Sequence, residues 1–196
     1  MLFFGLALSV ASACEWSADM NDAARDVPES AHERQPTPLY PAVVPRDENH
    51  PTSAQFEVVN TGDERGHALR TKVAFRQDER VAQLSGILIR HTTLDTIQIS
   101  PQLHMSDPWF CRFLLHSCGP NLKIEITAME ARAARDILAG EYLTIDYAAT
   151  EDVLANQFVC HCGSPHCRGW MTGRREQPNA AGRAFLEDQR GRKSPV

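Results

Sequence analysis

Four cysteines have the type and the spacing needed to bind a metal ion. Cys160, Cys162 and Cys167 form a C-x-C-x4-C cluster, and Cys118 lies about forty residues upstream. Structural zinc prefers a closed shell of four ligands, and thiolates are among its favoured ones. Zinc held by these thiolates would fix the C-terminal segment against a loop far back in the sequence. It would also require a reducing compartment, whereas the even count of six cysteines leaves three disulfides as the alternative.

The segments that must position these cysteines are predicted to be short strands with little helix. They contain many β-branched residues or alternate apolar with polar side chains, which is typical of strands. The predicted strands cover residues 56–60, 67–75, 80–90, 93–100, 122–130 and 141–149. Residues 107–117 fit either a short helix or an apolar strand, and residues 131–138 fit a turn of helix or a loop.

Three motifs follow one another along the chain, and together they indicate a family. They read R-F-x-x-H-S-C-x-P-N from residue 112, G-E-x-L-x-x-D-Y from residue 140 and C-x-C-x4-C-x-G from residue 160. This order resembles the SET-domain protein lysine methyltransferases that carry a post-SET zinc segment. Residues 63–86 are similar to the opening hairpin of that family, and residues 96–104 to the strand and histidine found in small members with a short insert. The resemblance covers roughly residues 55–173.

The resemblance implies a mostly β fold, in which small curved sheets form a SET-like β-clip with a pseudoknot and a C-terminal four-cysteine zinc post-SET segment. We expect the SET domain at residues 55–150 and the post-SET segment at 151–173. Residues 1–54 combine a hydrophobic N-terminus with a proline-rich, acidic stretch that is predicted to be a disordered linker, and residues 174–196 are predicted to be a basic, flexible tail. Residues 1–13 resemble a signal peptide that ends in Ala-Ser-Ala, although they lack a basic start.

The implied activity is methyl transfer from S-adenosylmethionine to the side-chain amine of a lysine in a protein. The attacking amine must be neutral, and burial beside a cationic cofactor lowers its pKa because both disfavour the ammonium form. By resemblance, Tyr147 is the catalytic tyrosine that orients the amine. The residues that match the cofactor-binding positions of the family are Arg65, Gly66, His67, Arg112, Phe113, Leu115, His116 and Phe158. The implied zinc ligands are Cys118, Cys160, Cys162 and Cys167.

Two positions depart from the family pattern. Leu115 replaces an asparagine that helps to hold the amino-acid end of the cofactor, and Glu64 replaces the first glycine of the opening loop. A lost hydrogen bond to a charged group costs roughly 1.5–3 kcal/mol. Two alternatives therefore stay open: a catalytically inactive SET-like interaction module, and a SET-type enzyme that acts on a small-molecule amine in a biosynthetic pathway.

The charge of the chain suggests its partners. A net charge of −5 argues against a general nucleic-acid-binding protein and suits a basic protein substrate with a target lysine, such as a histone. The N-terminal apolar run is too short to span a bilayer, so no membrane association is expected. We expect a monomer in the cytoplasm or the nucleus, because zinc thiolates require reducing conditions.

Overall fold

Short strands account for most of the regular structure in residues 36–45 and 47–193, the part of the chain described by the computed structural model. Fifteen short elements follow one another along this part of the chain. They are β1 (Phe56–Asn60), β2 (His67–Thr71), β3 (Arg80–Gln83), β4 (Ile87–Ile89), β5 (Thr96–Ser100), β6 (Leu103–Ser106), a 3-10 helix (Cys111–Phe113), β7 (Leu115–His116), β8 (Leu122–Glu125), β9 (Glu130–Ala133), β10 (Thr144–Ile145), α1 (Tyr147–Thr150), β11 (Phe158–Val159), β12 (Trp170–Met171) and α2 (Ala180–Lys193).

The strands form five small sheets. Antiparallel pairing joins β1 to β2 and β11 to β12, and it builds two three-stranded sheets in the orders β3-β9-β8 and β4-β6-β5. The exception is the parallel pair β7 and β10, in which Leu115 lies opposite Thr144 and His116 opposite Ile145. This pair places the histidine motif beside the segment that leads to Tyr147. The mostly β fold class is thus confirmed, while the threading of a pseudoknot stays a prediction.

Aromatic rings form the centre of the main core. Phe56 stacks on Phe75 at a centroid distance of 6.0 Å and meets the edge of Phe110 at 5.4 Å. Fully buried aliphatic side chains surround these rings, among them Leu69, Leu114, Leu122, Ile137 and Leu143. Each such side chain stabilises the fold by roughly 1.5–3 kcal/mol through burial alone. A second, smaller cluster contains Leu154, Cys160 and Met171.

The predicted linker boundary at residue 54 is wrong for residues 36–54. Tyr40 is 5% exposed and Val44 is also buried in the main core. The Tyr40 hydroxyl donates a hydrogen bond of 2.8 Å to the fully buried carboxylate of Asp107, and it accepts one from the Ser85 backbone N–H. The proline content suggested disorder, but two apolar side chains are enough to attach the segment to the core. Residues 1–35, which include the signal-like stretch, lie outside the described residues.

The predicted flexible tail is also wrong in part, because residues 180–193 form helix α2. Asn179 stabilises its N-terminus by accepting a hydrogen bond of 2.9 Å from the Gly182 backbone N–H. The Phe185 ring lies 5.8 Å from the Trp170 ring of β12. Few apolar residues mark this helix, so its mostly polar composition was mistaken for flexibility.

Two local expectations can be compared with the structure. The segment 131–138 was predicted to be a helical turn or a loop, but its first residues belong to β9, which pairs with β3 and β8. The segment 107–117 contains both a 3-10 helix and the short strand β7. Among the described residues, every helix is too short or too polar to cross a membrane.

Candidate functional site

The four predicted zinc ligands come together in space. The Sγ atoms of Cys118, Cys160, Cys162 and Cys167 all lie within 4.8 Å of one another, and those of Cys118 and Cys160 are 3.9 Å apart. Tetrahedral zinc with bonds of about 2.3 Å requires sulfur–sulfur distances of roughly 3.8 Å, so this donor set fits zinc. The four residues are free thiols, as is Cys111, which is buried in the main core.

Hydrogen bonds favour the thiolate form of one cysteine in this cluster, Cys162. Burial opposes ionisation of Cys162, but backbone N–H groups of Cys118 and Ser164 point at its sulfur and lower its pKa to about 6. Burial raises the pKa of Cys160. The Cys118 sulfur accepts hydrogen bonds from the backbone and the guanidinium of Arg168 at 3.4 and 3.3 Å. Bound zinc would stabilise the thiolate form of the cysteines, because zinc binds cysteine as the thiolate.

Tyr147 opens helix α1, and its hydroxyl is held in a fixed direction. Asp146 caps the helix by accepting a hydrogen bond from the Ala148 N–H. The Tyr147 hydroxyl donates a hydrogen bond of 2.8 Å to the backbone carbonyl of Leu114. Burial raises the pKa of Tyr147 to about 12, so this hydroxyl stays neutral at physiological pH. Its proton is committed to the carbonyl, which leaves the oxygen lone pairs free to accept.

His116 connects Tyr147 with the cysteine cluster. Burial lowers the pKa of His116 to about 4, so the ring is neutral. Its Nδ1 accepts a 3.4 Å hydrogen bond from the Tyr147 N–H, which leaves Nε2 to donate to the Cys118 sulfur at 3.4 Å. The His116 ring also lies 5.2 Å from the Tyr147 ring and 5.9 Å from the Phe158 ring. Three predicted site residues therefore form one aromatic cluster.

The predicted opening loop lies near the post-SET segment. Gly66 has a φ of +72°, a conformation that favours glycine, and the space where a Cβ would project is open. Arg65 pairs with Asp63 at 2.7 Å and lies over the Tyr142 ring. Glu64, which departs from the family pattern, approaches His161, the residue between Cys160 and Cys162 in the sequence. The Glu64 Oε1 and His161 Nε2 atoms are 3.9 Å apart.

The other predicted cofactor residues have less direct roles. His67 is exposed at the start of β2, and Arg112 is exposed with its guanidinium 3.8 Å from the Asp95 carboxylate. Phe113 packs against the main core. Leu115 is buried in β7, and its aliphatic side chain cannot form a hydrogen bond with a cofactor. The half-buried Phe158 ring fits a nucleoside cofactor that needs a ring to stack on.

A cavity of about 270 Å³ lies beside Tyr147. Of the predicted site residues, only Tyr147 and Phe158 line it. Short and aliphatic side chains provide most of the remaining wall: Thr92, Thr93, Leu94, Thr96, Ile97, Cys111, Ile145, Thr150, Leu154, Ala155 and Asn156. Glu151 is the only charged residue in this lining, and sequence reasoning missed it because a single acid after the D-Y motif carries no signal.

Glu151 is 5% exposed, and its two carboxylate oxygens have different surroundings. Oε1 accepts a hydrogen bond of 2.7 Å from the Gln98 N–H. Oε2 and the Nδ1 atom of buried His104 have no hydrogen-bond partner among the described residues, and they lie 3.6 Å apart. Burial raises the pKa of Glu151 to about 7 and lowers the pKa of His104.

The family is clear from the comparison with known sequences. The sequence model of the SET domain matches residues 28–148, which is more than half of the chain, so the chain belongs to the SET-domain family. The match begins well before residue 55, in agreement with the packing of residues 36–54 into the core. Methyltransferases of this family use S-adenosylmethionine, and the predicted family, fold class and cofactor class are confirmed at that level.

Individual relatives share only part of their length with this chain. Methyltransferase flvH of Aspergillus flavus is 36% identical over 86 residues, which are 41% of this chain and 47% of that protein. Histone-lysine N-methyltransferase ASHR3 of Arabidopsis thaliana is 40% identical over 74 residues, 35% of this chain and 14% of that protein. The chain thus spans about half or less of the relatives it matches.

A solved structure supports the same fold. The crystal structure of KRYPTONITE in complex with mCHG DNA and SAH matches with a TM-score of 0.50 and 26% sequence identity. The match covers 59% of this chain and 28% of that chain.

Proposed function

We propose that this chain transfers a methyl group from S-adenosylmethionine to the side-chain amine of a lysine in a protein. The observation that carries the proposal is the Tyr147 hydroxyl, which is neutral, buried and held by the Leu114 carbonyl beside a cavity. The histone-lysine methyltransferases among the relatives support a protein substrate. The cysteine cluster supports a reducing compartment, the cytoplasm or the nucleus.

The cavity would favour the reactive form of the amine. A lysine amine has a pKa near 10.4 in water, and walls that consist mainly of aliphatic carbon and methyl groups disfavour its ammonium form. Because the Tyr147 proton points at Leu114, the hydroxyl oxygen can accept an N–H of the amine and direct its lone pair. S-adenosylmethionine, when bound, supplies the methyl group on a positively charged sulfur. Holding the amine in line with that methyl group is the main catalytic task of the protein.

Of the residues proposed to contact the cofactor, Phe158 lies at the wall of this cavity. Its half-buried ring provides a stacking surface, and the buried His116 ring packs against it at 5.9 Å. In the opening loop, Gly66 leaves open space where a side chain would project. Zinc held by the four cysteines would fasten β11, which carries Phe158, to the loop that carries Cys118. The zinc therefore has a structural role in this proposal, with all four positions filled by protein ligands.

A small-molecule amine is the second candidate substrate. The cavity is small, about 270 Å³, and four threonines form part of its wall beside the rings of Tyr147 and Phe158. Pockets for drug-sized ligands start at roughly 300 Å³, so this cavity suits a compact amine as well as a lysine side chain. The similarity to methyltransferase flvH covers 41% of this chain, and that to the histone-lysine enzyme ASHR3 covers 35%, which supports testing this class.

The first experiment titrates S-adenosylmethionine into zinc-loaded, full-length protein by calorimetry. We expect micromolar binding, followed by transfer of labelled methyl groups to lysine peptides or to small amines. Transfer to peptides alone supports the protein substrate, and transfer to small amines alone supports the second candidate. Folded protein with one zinc and no cofactor binding would instead identify an inactive SET-like interaction module.

Replacing Tyr147 tests the role of its hydroxyl. We expect Tyr147→Phe to reduce turnover by roughly 10²–10³-fold, comparable to the loss of one positioned polar group in other active sites. Zinc content and cofactor affinity should be unchanged, because the phenyl ring keeps its contacts with His116 and Phe158. The measurements are initial rates, metal analysis and calorimetry on the same preparations. Full activity in the variant would remove Tyr147 from this role.

A further inference from the structure

Glu151 and His104 form a buried titratable pair at the wall of the cavity. Glu151 lies one helical turn beyond Tyr147, and its backbone N–H donates to the Tyr147 carbonyl at 2.8 Å. His104 approaches from β6, with its Nδ1 3.6 Å from Glu151 Oε2. On its other side, His104 Nε2 lies 3.4 Å from the Thr92 hydroxyl, which also lines the cavity. Glu151, His104 and Thr92 therefore form a polar path that begins and ends at the cavity.

Each member of the pair has one buried side-chain atom without a hydrogen-bond partner among the described residues, which distinguishes the pair from an ordinary structural contact. A buried polar atom without a partner is destabilising, and burying two of them face to face adds to that cost. The Gln98 N–H already docks Glu151 onto β5 through Oε1. The unpartnered Oε2 and Nδ1 atoms are not needed for that docking.

We propose that Glu151, assisted by His104, accepts the proton that the substrate amine must lose before it is methylated. This inference rests on the proposed methyl transfer to an amine. The N–H bond of the ammonium breaks, the proton bonds to a Glu151 carboxylate oxygen, and the electron pair stays on nitrogen. That pair forms the new bond to the methyl carbon, and the pair of the carbon–sulfur bond goes to sulfur. The proton then passes from Glu151 to His104 Nδ1, and His104 Nε2 releases its own proton to the Thr92 hydroxyl. That partly exposed hydroxyl in turn gives its own proton to water.

Burial and the charges around the pair place the pKa of Glu151 in a range that suits a proton acceptor near neutral pH. Burial disfavours its carboxylate, and the nearby Asp152 carboxylate adds to this effect, whereas Arg174 and the Gln98 N–H favour ionisation. The net result is a pKa of about 7. Burial and the nearby His91 lower the pKa of His104 and so favour its neutral form, whereas the Asp152 carboxylate acts to raise this pKa. Asp152 is itself held by Arg174 at 2.6 Å and by Arg175 at 3.5 Å. A neutral histidine beside a half-ionised acid can pass a proton in either direction.

The first test follows the Glu151 carboxyl group directly and does not depend on turnover. Infrared difference spectra would be recorded as butylamine, a mimic of the lysine side chain, is added to the full-length protein near neutral pH. We expect the carbonyl band of a protonated carboxyl group to grow, and we expect this change to be absent in Glu151→Gln. A band that shrinks would mean that Glu151 only pairs with the ammonium, and no change would mean that it does not meet the amine. Either result overturns the proposal.

The second test is the pH dependence of kcat at saturating amine and cofactor. The wild-type rate should rise with pH and level off above about pH 7, since Glu151 is then ionised. The rate of Glu151→Gln should keep rising tenfold per pH unit toward the pKa of the amine, so its deficit shrinks as pH increases. Glu151→Asp should restore part of the plateau. Parallel profiles for the wild type and Glu151→Gln would refute the proton-acceptor role even if methyl transfer itself is demonstrated.

Asp152→Asn is the matched control, because it removes the neighbouring acid, which does not line the cavity. Its rate should still reach a plateau, at a slightly lower pH than in the wild type, because the Asp152 carboxylate raises the pKa of Glu151. If the wild type transfers no methyl group to any amine, the proposed function fails, and the infrared result alone then decides whether the pair accepts a proton.

Discussion

At the scale of single residues, burial sets the protonation state of every group near the cavity. Tyr147 keeps its proton because desolvation raises its pKa to about 12, and His116 stays neutral because the same effect lowers its pKa to about 4. Desolvation also raises the pKa of Glu151 to about 7. One physical cause thus produces a hydroxyl that does not ionise, a histidine that does not charge and an acid that titrates near neutrality.

The raised pKa of Glu151 predicts a particular dependence of stability on pH. Between its ordinary value of 4.5 and about 7, the folded protein holds a proton that the unfolded chain has lost. The stabilising contribution of Glu151 is therefore complete below about pH 4.5 and disappears as pH rises to about 7. His104 acts in the opposite direction, because its lowered pKa makes the folded state lose stability as pH falls below its ordinary value of 6.5.

Removing the Glu151 carboxyl group should reveal how much this residue contributes to the pH dependence of stability. Relative to the wild type, Glu151→Gln should gain free energy of unfolding as pH rises from about 5 to about 7, by at most about 1.4 kcal/mol per pH unit. Urea unfolding curves at several pH values measure the difference. His104 is present in both proteins, so its contribution largely cancels. A constant difference across this range would contradict the raised pKa.

At the scale of elements, helix α2 shows how a mostly polar segment can be held by a few contacts. Gly182 in its first turn lies directly against the indole of Trp170, where an added Cβ would collide. The Trp170 Nε1 donates a hydrogen bond of 3.0 Å to Gln157, which also anchors the Asn179 N–H. The missing side chain of Gly182 therefore allows the helix to approach β12.

Two glycines of the same helix provide a matched pair of variants. Gly182→Ala should destabilise the docked helix by about 1–3 kcal/mol, because the Trp170 ring must move. Gly191 has open space around its Cβ position and no unusual φ, so Gly191→Ala should stabilise the helix by up to about 1 kcal/mol. Thermal unfolding, together with tryptophan fluorescence for the indole environment, measures both effects. Equal behaviour of the two variants would show that α2 does not rest on Trp170.

At the scale of the whole molecule, the cysteine cluster connects parts of the chain that are far apart in sequence. Cys118 follows β7, whereas Cys160, Cys162 and Cys167 lie between β11 and β12. The same region meets the aromatic cluster of His116, Tyr147 and Phe158 through the contact of Cys118 with His116. A zinc ion here would hold Phe158 beside Tyr147. Loss of the metal should therefore disrupt the proposed cofactor-binding surface.

Removal of one ligand tests this connection. Cys162→Ser should lose the single equivalent of zinc, lower the Tm by roughly 5 °C or more and weaken cofactor binding. Cys111→Ala is the control, since this buried cysteine belongs to the main core and should leave zinc content at one equivalent. Metal analysis and thermal unfolding with and without a chelator provide the measurements. Full zinc content in Cys162→Ser would mean that the four sulfurs do not act as one site.

The sequence by itself determined the features that depend on residue identity at defined spacings. Structural zinc sites favour thiolate ligands, so Cys118, Cys160, Cys162 and Cys167 could be named before their distances were known. Alternation along residues 93–100 predicted a strand, because successive side chains of a strand face opposite sides, and residues 96–100 of this segment form β5. The ordered motifs likewise identified the family, whereas the catalytic role of Tyr147 stays a prediction.

Only the tertiary structure decided the features that depend on burial and on distant partners. Glu151 reads as an ordinary surface acid in sequence, and it becomes a titratable group of the cavity because the fold buries it. The fold also brings His104 on β6 to it from 47 residues away. Tyr40 joins the core because Asp107 offers a buried acceptor, and α2 docks because Gly182 leaves room for Trp170. Desolvation and packing arise from the whole fold, so no local pattern of residue types can reveal them.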